Sequence, residues 1–154
     1  MSSPASFYTI IFAGATHNAF SHTEGDIPKE NITLRLAFKT QAIKALGKEI
    51  TSLKGDPSDE LLLAIITLGV HGSGETLKPA QAPKRPLSPL AKAQNFQYYG
   101  NMRWESAHIE AVRHMVKQKG GLHKIGLPGL ANAIALYVQD TGPFLDIIPK
   151  VPTD

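Results

Sequence analysis

The side chains able to do chemistry in this chain are few, and their spacing decides what each can do. Six histidines are present: His17, His22, His71, His108, His114 and His123. Two histidines on one helix reach a common metal ion only when they are three or four residues apart. His17 and His22 are five apart and His108 and His114 six apart, so neither pair points at one ion. Glu105 and His108 form an E-x-x-H. Di-iron bundles use that spacing, but they need two such motifs and two further glutamates from facing helices. No second E-x-x-H exists, and Glu30 and Glu49 fall near helix ends. The expectation is a surface pairing of Glu105 with His108, or one buried hydrogen-bonded histidine, and no metal site.

Other reactive patterns are absent. The segment GVHGSGE has neither the G-x-G-x-x-G order nor the GK[ST] of a phosphate loop, and it follows a helical stretch rather than a strand. Ser73 is not in a G-x-S-x-G elbow. With no cysteine there is no thiol nucleophile, disulfide framework or Cys-ligated zinc. No two acids are placed to serve as a proton donor and a base. The sequence names no catalytic, cofactor-binding or metal-binding residue, and a non-enzyme is expected.

The elements that would carry these residues read as helices. Residues from about Ser6 to Ser21 place Phe7, Ile10, Ile11 and Gly14 at the spacing of one buried face. From Lys29 to Leu53, Leu36, Ile43, Leu46, Ile50 and Leu53 form an apolar stripe, with Lys39, Lys44 and Lys48 largely outside it. In DPSDELLLAIITLGVHG, Asp56 can cap a helix and Pro57 suits its first position. Its apolar residues run all round, which predicts a place at the centre of a bundle. A fourth helix is expected from about Met102, capped by Asn101, to Lys119. Ile109, Val112 and Val116 form its inner face, and Gly120-Gly121 ends it. The fifth opens at GLPGL, buries Leu130, Ile134 and Tyr137, and stops at Thr141-Gly142-Pro143. The result is an all-α fold of about five helices over residues 5–142, with a long Pro-rich loop at 72–97 between the third and fourth helices and an extended tail at 143–154.

Composition supports that outline. The chain has 154 residues, 42% of them hydrophobic and 19% charged, which suits one folded domain. The net charge of +3 is uneven: residues 1–75 sum to 6 − 8 = −2, residues 76–124 to 9 − 2 = +7, and residues 125–154 to 1 − 3 = −2. The basic segment 76–124 makes a nucleic-acid-binding helical domain the alternative function. PKRP at 83–86 is only a two-charge cluster, however, and Ser88-Pro89 is a candidate phosphorylation site. No apolar run approaches the roughly 20 residues that span a bilayer.

At the fourth and fifth helices the stretch GNMRWESAHIEAVRHMVKQKGGLHKIGLPGLANAIALYVQD resembles the fungal-specific transcription factor domain, the regulatory region downstream of a zinc binuclear cluster. The matching residues are His108, Ala111, the Met115-Val116 pair, Gly120-Gly121 and the leucine-rich helix ending at Asp140. The order of the earlier helices also fits, and the likeness covers the N-terminal part of that region, without the zinc cluster. The resemblance implies a regulatory, protein-interaction role in the nucleus, or otherwise in the cytoplasm. It implies a protein partner or self-association, DNA reached only indirectly, and a structural role for His108, Met115, Gly120 and Gly121; from the residues themselves, no membrane contact and no cofactor are expected. It names no small-molecule effector. A truncated gene product without a function of its own is the other alternative.

Overall fold

A helix starts at Pro4 because proline has its φ already set for a helix and lacks only an N–H that the first turn would leave unbonded. In the computed structural model, which describes residues 3–21, 29–72 and 104–139, this helix is α1, Pro4–Ser21. It is followed by α2 (Lys29–Thr51), α3 (Asp59–His71), α4 (Ser106–Lys119), a 3-10 turn at Leu122–Lys124 and α5 (Leu130–Gln139). Among the described residues the fold is all-α, with five α-helices and no strand. The Pro-rich loop expected at 72–97 lies, beyond Gly72, outside the described residues. So do Asn101, Met102, the stop at 141–143 and the tail at 143–154.

The buried face of α1 is not the one that apolar spacing selects. Phe7 and Ile10 are 54% and 57% exposed, and Gly14 faces open space. The inner stripe is instead Ala5, Thr9, Phe12, Thr16 and Ala19, at steps of four and three residues. Small side chains let α2 come close. The two buried hydroxyls lose nothing by leaving water, because Thr9 Oγ1 donates to Ser6 O (3.0 Å) and Thr16 Oγ1 to Phe12 O (2.7 Å). The pairings of Ser3 with Glu49 and of Thr16 with Arg35 run in opposite chain directions, so α1 and α2 are antiparallel.

On α2 the expected stripe divides. Leu46 is buried and Leu53 half-buried, whereas Leu36, Ile43 and Ile50 are exposed. The face actually turned inward carries Arg35, Ala42 and Leu46.

The all-round apolar α3 touches all four other helices and buries Leu61, Leu62, Ile65, Ile66 and Leu68. Each such residue contributes about 1.5–3 kcal/mol of transfer free energy. Its cap is Ser58, not Asp56: Ser58 has extended backbone and its hydroxyl accepts from Leu61 N–H at 3.1 Å. Pro57 consequently precedes the cap and is buried, and Asp56 is exposed.

The other two helices pack against this centre. α4 begins at Ser106 rather than Met102, because Glu105 is extended and gives its N–H to Gly69 O at 2.9 Å. Ile109, Val112, Met115 and Val116 form its inner face. Leu130, Ile134 and Val138 are the inner face of α5; Tyr137 is half-buried, edge-on to Trp104 at 5.2 Å.

Candidate functional site

Four helix ends meet at one polar junction. Arg35 and Lys39, one turn apart on α2, point at the C-terminus of α3, where the last carbonyls have no partner within the helix. Arg35 is 6% exposed. Its Nη2 donates to His71 O (2.7 Å) and Gly72 O (3.1 Å), and its Nε donates to Thr16 Oγ1 (3.1 Å). The guanidinium carbon lies 5.1 Å from the centre of the Phe12 ring. Lys39 Nζ donates to Gly72 O and to Glu105 Oε1, both at 2.5 Å. Two cations at a helix C-terminus complement its dipole, and the carbonyls satisfy the charge that burial would otherwise penalise.

Glu105 completes the junction from α4. Its second oxygen, Oε2, meets His108 Nε2 at 3.1 Å. Both carboxylate oxygens are therefore engaged by the protein's own groups. Gly72 is required at the crossing, since a Cβ there would lie 2.3 Å from Leu68 O and 2.7 Å from the Glu105 carboxyl carbon. Burial holds His108 below the ordinary histidine range; the Glu105 charge pulls it back up, and Lys39 adds to the lowering. Burial also lowers His71, aided by Arg35 and His17 and opposed by its Nδ1 contact with Thr67 O at 3.0 Å.

A second junction sits at the opposite end of α3. Asp59 accepts from the N–H groups of Gly126 and Leu127, both at 2.7 Å, and pairs with Lys119 at 3.0 Å. Lys119 also donates to Pro57 O at 2.7 Å. Burial raises the Asp59 carboxyl, but Lys119 and the two amides outweigh it, and the group stands below its ordinary value.

The sequence-identified residues do not converge. His108 lies in the first turn of α4, Met115 faces the core, and Gly120 and Gly121 end the helix at its far side. Gly120 takes φ +96°, with its N–H on Lys117 O, and Gly121 N–H reaches Val116 O, so the two glycines close the helix as a Schellman turn. The Glu105–His108 pairing has the expected spacing, with Lys39 as a third member that the sequence did not suggest. The signal for Arg35 was its register: it lies seven residues before Ala42 and eleven before Leu46, on the inner stripe.

Among the described residues no cluster of three or more His, Cys, Asp or Glu is arranged to hold a metal ion. No helix there is long and apolar enough to cross a membrane. What these residues can do chemically is pin helix ends. The outward surface differs: Ile32, Leu36, Ile43 and Ile50 lie along α2 at steps of four, seven and seven residues, each between 39% and 50% exposed. Beside them a shallow groove of about 430 Å³ is lined by Ile43, Lys44, Gly47, Lys48, Thr51 and Ser52. Comparison with protein-family models, with curated proteins and with solved structures finds no match to this chain.

Proposed function

We propose that the chain is a non-catalytic regulatory and protein-interaction module that works through helix-face contacts. This is the role implied by its resemblance to the middle region of fungal transcription factors. On this reading it acts in the nucleus and reaches DNA only through a protein it binds; with no cysteine, this sequence carries no zinc cluster of its own.

The observation that supports the reading is the apolar line on α2. Single exposed apolar residues are ordinary on any protein surface. Four in register on one side of a single helix are a line of apolar surface of the kind that an interaction site uses. The nucleic-acid alternative draws less support from the described part of the basic segment. There Arg113 is paired with Glu110 at 3.0 Å and Lys119 with Asp59.

Sedimentation velocity and affinity capture test the proposal. The chain should associate with itself or retain a partner, and Ile43→Asp should abolish this without loss of helical circular dichroism. A strictly monomeric protein that retains nothing would refute the interaction role.

A further inference from the structure

We draw no further inference here: the strongest candidate, the outward apolar line of Ile32, Leu36, Ile43 and Ile50 on α2, carries exposed Glu30 as well as exposed Lys44 and Lys48 along the same helix, and nothing in the structure shows what covers it.

Discussion

Arg35 shows how a charged side chain becomes a core residue. Its three hydrogen bonds are to a hydroxyl and to two carbonyls that α3 cannot satisfy itself, and the Phe12 ring covers its flat face. A buried carbonyl left without a donor costs about 1–3 kcal/mol, so the guanidinium relieves a debt that the fold would otherwise carry. The nearby histidines give the junction a pH dependence. His71 and His108 are both held below their ordinary value of 6.5, mainly by burial. The folded chain therefore binds fewer protons than the unfolded chain as pH falls below that value, and stability rises with pH. It is fully present above 6.5 and is lost as pH drops through the lowered values in the fold. Urea midpoints measured at about pH 7.5 and about pH 5.5 should fall toward acid, and His108→Gln should make the fall shallower. A flat profile would contradict the burial of these rings. Asp59 acts in a separate window, since its contribution is lost only below its ordinary value of 3.8.

At the scale of the helix, the sequence was readable where one answer existed. α4 has a single apolar face, and Ile109, Val112 and Val116 are buried as their spacing predicts. α3 is apolar all round, so no choice of face arises. α1 and α2 each offer two periodic faces, and hydrophobicity selects the wrong one on α1 because it counts threonine as polar. Thr9 and Thr16 are fully buried with their hydroxyls satisfied by their own helix, while Phe7 is left outside. The two faces should respond differently to substitution. Phe12→Ala should cost about 3–5 kcal/mol in chemical denaturation, as for a large core ring. Phe7→Ser should stay within about 0.5 kcal/mol of the parent. Equal losses would restore the face that apolar spacing favours. The cap is also ambiguous locally: Asp56, Ser58 and Asp59 are all residue types that cap helices, and the choice is settled by the extended backbone of Ser58 and its hydroxyl on Leu61 N–H.

For the molecule as a whole, the architecture was legible and the polar junctions were not. Five helices around an apolar third one follow from composition and period. Bringing Arg35, Lys39, His71 and Glu105 together needs long-range packing, which no local pattern encodes. Because α3 contacts every other helix, the described bundle should unfold as one unit. Trp104, the only tryptophan, packs edge-on to Tyr137 on α5 and reports the junction end. Its fluorescence should change at the same denaturant concentration as the helical signal. Separate transitions would show that α4 and α5 form a unit apart from the α1–α2 hairpin.

The bond from Glu105 N–H to Gly69 O, with Lys39 bridging Gly72 and Glu105, fixes two points of the chain side by side although they are far apart in sequence. The end of α3 and the residue before α4 are therefore latched directly to one another. That latch would keep the two helices aligned even in a chain cleaved between Gly72 and Trp104.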